Sequence, residues 1–381
     1  MPRARDLALF QLLCTSGMDV MAQMPLLSEV LHRLVPSFSL SMIRVDERCV
    51  PSAHYSEFFD EASHALFAAS GDHFATRSPD PAAFANLMSN RDPVGALIDA
   101  RPEYLGGLIY QHLFQPNGIH HTLDVALRER GEPLAILGIF RERSAPPFRR
   151  EDVRLVRSLY DQLVHACRAE PAAGPFDEVD SAMMVVSPAG RIVWASTTAR
   201  EWLAEVSGGA ERASMLDRGL VPDACRAILA MVRRARMAPR AGEVAAAPHV
   251  SVPLPGGRLD LRGYALESDV AGAEGHVGIQ LRVEVARDLR LLRALDATRL
   301  TPQQLRIAWG LCRGMSNSEL GVELALSAAT LKSYQKDMYR RMEVGSARAL
   351  VERLETLSAS ARVDRTRHLP VMRSRAAPSR R

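Results

Sequence analysis

The chain has little of what an exported, membrane-spanning or disulfide-bonded protein needs. None of its apolar runs approaches the ~18–20 residues that cross a bilayer as a helix. The five cysteines are odd in number and widely scattered, without a CxxC or Cys/His cluster, so neither a disulfide framework nor a structural zinc site is indicated. Gln11 interrupts the apolar stretch near the start, and no cleavage site follows, so we expect a first helix rather than a signal peptide. These absences predict a cytoplasmic protein without membrane contact.

Motifs that mark enzymes are also missing. The sequence contains no HExxH, no GxSxG elbow and no Walker loop, and its eleven histidines show no metal-ligand spacing. His120 and His121 are adjacent on a predicted strand, where alternating side chains would point them to opposite faces. We therefore predict no catalytic residue, no metal site and no cofactor.

Lysine is nearly absent, and charge is unevenly distributed. Lys332 and Lys336 are the only lysines, and every other strongly basic side chain is arginine. Residues 289–381 carry a net charge of +10, whereas residues 1–288 carry −6. A basic C-terminal part on an acidic body indicates that this part meets a polyanion, although charge alone does not identify which.

Three segments and a tail separate along the chain, with residues 170–175 as the clearest linker. We predict one domain at 1–170, a second at 176–286 and a third at 296–358. Residues 359–381 are rich in Arg, Ser and Pro and have too little apolar surface to fold, which predicts a disordered basic tail. The expected fold class is α+β: two α/β sensor-like domains followed by an all-α four-helix domain.

The end of the first segment has a distinctive order of elements. Predicted strands at Ile119–Glu129 and Pro133–Arg141 flank a tight turn, and an amphipathic helix follows at Arg149–Arg168. This order resembles a GAF domain, which implies a small ligand held between sheet and helices. Earlier in the segment, helices are predicted at Asp6–Thr15 and Ala22–Leu34, and a strand at Phe38–Val45.

The second segment opens with two apolar strands, 182–186 and 191–195, joined by a turn and followed by a short helix at Thr197–Ala204. This opening resembles a PAS domain, although Ser196 stands where that family usually has Asn. Fold does not give function, and the same residues could form a platform for another protein. Later strands are predicted at Val250–Leu254, Arg258–Leu266 and His276–Val285.

Three helix starts follow within about thirty residues. Thr301 and Gln304 can form a capping box, in which each side chain satisfies the other's backbone N–H, and Ser316 and Glu319 can form a second. Ser327 can cap a third helix. Three short helices joined by tight turns are what a helix-turn-helix requires.

The third of these helices, residues 328–342, has two distinct flanks. At 100° per residue, Leu331, Tyr334, Met338 and Met342 fall on one arc and are predicted to face the core. The opposite flank is polar and cationic, as expected for contact with phosphates and base edges. It contains Lys332, Ser333, Lys336 and Arg340, with Gln335 and Asp337 at its edges.

The motifs around these helices resemble the LuxR/FixJ-type DNA-binding domain. They are Leu300-Thr301-Pro302, Gly314-Met315-Ser316-Asn317-Ser318-Glu319-Leu320-Gly321, Leu326-Ser327-Ala328-Ala329-Thr330-Leu331-Lys332 and Arg341-Met342-Glu343-Val344. The sequence departs from the family at Gln304, where Glu is usual, and at Glu343, where Gly often ends the helix.

The resemblance implies a role for each matching residue. Lys332, Ser333 and Lys336 would approach base edges in the major groove, whereas Ser316, Asn317, Ser327 and Thr330 would meet phosphates. Gln335 and Arg340 complete the candidate DNA-binding set. A fourth helix at Ser346–Ser358 would carry a stripe of Leu350, Leu354 and Leu357, which suits either dimer contact or core packing.

These patterns predict a sequence-specific DNA-binding transcription regulator. We expect its partners to be double-stranded DNA and a second copy of the chain, as a homodimer, and a small-molecule ligand for the N-terminal domains remains open. The alternative is a sensor or scaffold whose helical domain binds another protein instead of DNA.

Overall fold

The computed structural model describes residues 2–57, 80–96, 102–168, 175–207, 223–237, 247–254, 256–267 and 275–360. It contains two antiparallel five-stranded sheets followed by a helical C-terminal unit, so the predicted α+β class is confirmed. Most of the predicted linker and of the predicted tail lies outside the described residues. No helix of the described part is long and apolar enough to span a bilayer.

The first sheet has the strand order β2-β1-β5-β4-β3. The predicted hairpin is its β4–β5 pair, and its turn places Arg130 and Gly131 at positive φ, which matches the right-handed twist of the strands. The elements are α1 (Pro2–Cys14), α2 (Val20–Leu34), β1 (Ser39–Val45), β2 (Pro51–Ser56), α3 (Phe84–Ser89), β3 (Val94–Ala96), α4 (Pro102–Leu105), a π-helical turn (Tyr110–Phe114), β4 (Ile119–Glu129), β5 (Glu132–Glu142) and α5 (Arg150–Arg168).

This sheet is buried on both faces because helices cover each side. Leu123, Val125 and Leu127 of β4 join the core formed with α1, α2 and α5. Ala126 and Ile119 belong to a second core on the opposite face, under α3 and the π-helical turn. The alternation along β4 follows the two-residue period of a strand.

The expectation that His120 and His121 point to opposite faces is wrong. A β-bulge between Ile119 and His121 breaks the regular register, so the two imidazole ring centroids lie only 4.8 Å apart. The His120 Nδ1 is 2.9 Å from the Tyr110 hydroxyl. Burial lowers the pKa of both histidines below the usual value. Among the described residues, no third ligand joins them in a metal cluster.

The second sheet repeats the strand order of the first, β7-β6-β10-β9-β8. Helix α7 packs on it through Ile228 and Val232, and a Cβ at Gly263 would lie 2.3 Å from Ile228 Cγ2, so glycine permits this close approach. The elements are β6 (Phe176–Val186), β7 (Ile192–Ala195), α6 (Thr197–Ser207), α7 (Asp223–Met237), β8 (His249–Leu254), β9 (Gly257–Ala265) and β10 (Val277–Ala286).

The C-terminal unit is helical throughout. Helix α8 follows β10 without a break and packs along α12, and α1 from the start of the chain packs against α9. Leu350 and Leu354 of α12 are fully buried in this core, so the leucine stripe serves core packing. The helices are α8 (Arg287–Asp296), α9 (Pro302–Cys312), α10 (Asn317–Glu323), α11 (Ala328–Met342) and α12 (Ala347–Ser360).

Candidate nucleic-acid interface

The three predicted helix caps are present. Gln304 N donates to Thr301 Oγ1 at 3.4 Å, and Thr301 N donates to Gln304 Oε1 at 3.0 Å. The Ser316–Glu319 box has the same reciprocal form, at 3.3 and 2.7 Å. Thr330 N donates to Ser327 Oγ at 3.2 Å. These bonds satisfy orphan N–H groups and fix where α9, α10 and α11 begin.

The helix ends are as well defined as the starts. Gly314 follows α9 with φ +77, which suits a glycine beyond a helix terminus. Glu343 ends α11 in the same left-handed region, at φ 57, where a residue with a side chain is strained. The family's usual glycine at this position is therefore explained by backbone conformation.

The buried flank of α11 differs from the prediction at one turn. Leu331 and Met338 are buried as expected. Tyr334 was predicted to face the core, but its side chain is 36% exposed. Gln335 takes that place at 7% exposure, and its amide donates to Asn317 Oδ1 at 2.7 Å. The prediction that Gln335 lies on the DNA-facing flank is wrong, because the amide instead ties α11 to α10.

The opposite flank of α11 is open. Lys332, Ser333, Lys336 and Arg340 are all exposed. The two lysines lie one helical turn apart, and neither has an ion-pair partner among the residues that the structure describes. An unpaired cation on a rigid helix keeps its full charge for an external anion.

Asp337 compensates part of this charge toward the end of α11. Its carboxylate accepts from Gln304 Nε2 at 2.8 Å and from Arg341 Nε at 2.8 Å, and it also pairs with Arg340. The bond from Gln304, followed by that from Arg341, lowers the pKa of Asp337 below its usual value. Asp337 therefore offsets one of the two arginine charges at this end of α11, whereas Lys332 and Lys336 have no ion-pair partner among the described residues.

Small polar side chains surround the N-terminal ends of α10 and α11. Ser316, Asn317, Ser327 and Thr330 are all exposed. The Ser327 and Thr330 hydroxyls are hydrogen-bonded to each other at 2.8 Å. A hydroxyl that accepts a capping bond can still donate to a phosphate oxygen, so capping and phosphate contact are compatible.

A second candidate site, a cavity on the first sheet, went unrecognised in the sequence. It lies between the face of that sheet opposite α1, α2 and α5 and the elements around α3 and the π-helical turn, and its volume is about 50 Å³. One water needs roughly 10–15 Å³, so the cavity has room for several water-sized groups and suits a small organic molecule. Its polar residues come from several strands, which a linear pattern does not group.

Two family models match the chain. Residues 298–354 match the model described as bacterial regulatory proteins, luxR family, and residues 26–167 match the GAF domain model. Neither match extends over the second segment, so its PAS-like resemblance stays a prediction. No curated protein sequence matches the chain.

Solved structures give weaker likenesses. The phage VqmA-DPO complex aligns at 13% identity over 48% of this chain and 83% of its own, with a TM-score of 0.22. A Vibrio cholerae VqmA dimer, described in the absence of target DNA, aligns at 12% identity over 47% and 88%, with a TM-score of 0.16. The sensor region of a sensor histidine kinase aligns at 14% identity over 67% and 92%, with a TM-score of 0.17. TM-scores this low establish no shared overall arrangement.

The family matches and the geometry agree at both ends of the chain. Residues 298–354 contain the capped helices α9 to α11, and residues 26–167 contain the first sheet with its cavity. The chain therefore carries a GAF sensor domain and a LuxR-type DNA-binding domain, and it is a DNA-binding transcription regulator.

Proposed function

We propose that α11 enters the major groove of duplex DNA with Lys332, Ser333 and Lys336 directed at base edges. The observation that carries this proposal is the pair of exposed lysines opposite a buried flank, which have no ion-pair partner in the described part of the chain. Lysine and serine can both hydrogen-bond base edges in that groove. Arg340 is exposed on the same flank and is assigned to phosphate, where its pairing with Asp337 makes its expected contribution smaller than that of the lysines.

The remaining contacts are assigned to the DNA backbone. Ser316, Asn317, Ser327 and Thr330 would position the helix by donating to phosphates and would carry no sequence information themselves. Gln335 is left out of this set because its amide is committed to Asn317.

Selection of DNA sites from a random pool by the full-length protein tests this proposal. We expect an enriched motif, with Lys336→Ala relaxing the preference at one or two positions and costing about 1–3 kcal/mol at those positions. Arg154→Ala, which removes an exposed arginine from α5, is the matched control for net charge and should leave the motif unchanged. Absence of any enriched sequence would reject the proposal.

A helical domain that binds another protein is the second candidate. The observation in its favour is Val322, which is 82% exposed on α10, since an apolar side chain held in solvent suits a protein contact. The same site selection separates the candidates, because a protein-binding domain enriches no DNA sequence.

The N-terminal domains would supply regulation. We propose that the second domain is PAS-like, because β6, β7 and α6 form the expected opening and β8 to β10 the expected antiparallel meander. We further propose that the chain acts in the cytoplasm as a homodimer on paired half-sites and catalyses no reaction. Leu350 and Leu354 are buried within one chain, so the dimer contact would lie elsewhere. Sedimentation of the protein with its selected DNA site measures the stoichiometry.

A further inference from the structure

The floor of the cavity is a row of small and polar residues that crosses four strands in register. Ser56 pairs with Ser41, Ser41 with Gly138, and Gly138 with Asp124. Residues directly opposite one another on neighbouring strands share a face of the sheet, and all four line the cavity. A carboxylate therefore sits at one end of a polar row.

The rest of the lining is mostly apolar. No Lys or Arg occurs among the described residues that line the cavity, so no strongly basic side chain there faces the carboxylate of Asp124. Among these described residues His54 supplies the one imidazole, so a phosphate, nucleotide or carboxylate ligand would meet that negative charge without a lysine or arginine to compensate it. The principal apolar residues of the wall are Ile43, Ile109, Phe114, Ile119, Ile136 and Phe140.

Gly138 brings an aromatic ring over this floor. A Cβ at Gly138 would lie 2.4 Å from Phe140 Cζ and 3.2 Å from Ser41 Oγ, so any side chain here would displace the ring. The ring therefore lies beside the strand position that pairs with Asp124.

Asp124 is in an unusual position for a carboxylate. Its side chain is half-buried and lines the cavity, and the loss of surrounding water raises its pKa to about 6. The Thr122 hydroxyl donates to it at 3.0 Å, which offsets the burial only in part. An ionised carboxylate in such a place is costly unless a cation or further donors reach it.

We propose that this cavity binds a compact organic ammonium, with the N–H groups donating to Asp124 and the apolar body packed against the Ile and Phe walls. The proposal rests on the proposed function, because this ligand would be the signal that the GAF domain senses for the DNA-binding domain. The expected ligand is therefore small and cationic, and it is apolar apart from one amine.

Three probes of one carbon skeleton test the charge requirement on the unmodified protein. Benzylamine, benzyl alcohol and benzoate are titrated into the full-length chain at pH 7.5 by calorimetry, and the cyclohexylmethyl series is titrated in parallel. A charge-assisted hydrogen bond is expected to make each amine bind about tenfold or more tighter than its alcohol. Neither carboxylate should bind measurably. Equal binding of amine and alcohol in both series, or binding of neither amine, overturns the proposal.

A substitution identifies the carboxylate responsible. Asp124→Asn should remove the preference for amine over alcohol, whereas Asp161→Asn, at an exposed carboxylate on α5, should retain it. A preference that survives in Asp124→Asn overturns the assignment to Asp124. DNA binding measured on the same preparations separates this test from the proposed function, since a protein that binds its site but no amine remains a regulator.

Discussion

At the scale of single residues, Gln304 joins two helices of the DNA-binding domain. Its side-chain oxygen accepts from Thr301 N in the capping box, and its amide nitrogen donates to Asp337 Oδ2 at 2.8 Å. The side chain is almost completely buried. A Glu here, as is usual in the family, would keep the cap but would place a second carboxylate against Asp337. Gln304 therefore suits the neighbouring Asp337 of α11 better than the family's usual Glu would.

Gln304→Glu should weaken the packing of α9 on α11. Loss of a buried donor next to a carboxylate costs on the order of 2 kcal/mol. Hydrogen exchange of the α11 amides in the full-length protein measures the effect, with Gln303→Glu as the neighbouring control. Protection of α11 that stays at the wild-type level in Gln304→Glu would show that the Asp337 bond carries no stability.

The half-buried carboxylate of Asp124 makes stability depend on pH. Its pKa is raised by burial to about 6 from 3.8, so the folded state holds the proton more tightly than the unfolded chain. Below about pH 4, Asp124 does not lower the free energy of unfolding, because it is protonated in both states. That free energy falls as the pH rises from about 4 to 6, and the full loss is present above about pH 6. The Tyr104 hydroxyl faces the same carboxylate and, also buried, has a raised pKa and stays neutral throughout.

Asp124→Asn should therefore stabilise the first domain at pH 7.5 but not at pH 4. A shift of this size corresponds to roughly 2–3 kcal/mol at neutral pH. Thermal unfolding of the variant and of Asp161→Asn at both pH values checks the prediction. A stabilisation of equal size at pH 4 and pH 7.5 would contradict the burial of Asp124.

At the scale of elements, α1 is bound to the C-terminal end of α8. The Arg5 guanidinium donates to the carbonyl oxygens of Asp296 at 2.5 Å and Thr298 at 2.9 Å, and to Asp296 Oδ1 at 3.1 Å. A cation at a helix C-terminus also interacts favourably with the helix dipole. Arg306 of α9 donates to Gln11 of α1 at 2.6 Å. The first helix of the chain thus fixes the start of the DNA-binding domain.

Arg5→Ala should loosen this attachment without altering the DNA-facing flank. Hydrogen exchange is expected to speed up in α8 and α9, because terminal carbonyls of α8 lose their donors, while affinity for the selected DNA site changes little. Arg3→Ala, at an exposed position on the same helix, is the control. Unchanged exchange in α8 would mean that α1 does not hold the helix.

Local signals in the sequence predicted the elements well, and long-range contacts account for the errors. The caps at Thr301, Ser316 and Ser327 depend on residues three positions apart, so a linear pattern contains them in full. Gln335 lies on the buried flank, against the prediction, because its burial depends on a bond to Asn317, eighteen residues away. The β4 bulge that brings the two histidines together has no signal in composition.

The cavity was unpredictable for the same reason. Ser41, Gly138 and Asp124 meet only because β1, β5 and β4 are neighbours in the sheet, an order that follows from the whole first domain. The GAF resemblance implied a ligand site but not the residues of its floor. Sequence patterns therefore gave the type of domain, and the tertiary structure supplies the chemistry of its site.

At the scale of the whole molecule, α8 connects all three domains. Three arginines spaced three residues apart each pair with a different part of the chain: Arg287 with Glu355 of α12, Arg290 with Asp177 of β6 and Arg293 with Glu29 of α2. A ligand that favours one position of α8 would change the equilibrium of the DNA-binding domain, and DNA would change ligand affinity by the same factor. We therefore expect any coupling between the cavity and the DNA-facing flank to pass through α8.

The central claim is that the two lysines of α11 carry the contact with DNA. Its most direct test is the affinity of the full-length Lys332→Ala/Lys336→Ala variant for the selected site, measured by fluorescence anisotropy across a series of salt concentrations. The account predicts a loss of at least about tenfold and a shallower log–log salt slope, because two cations are removed from the DNA interface, while Arg154→Ala behaves as wild type. An affinity and a slope equal to those of the wild type in the double variant would contradict it.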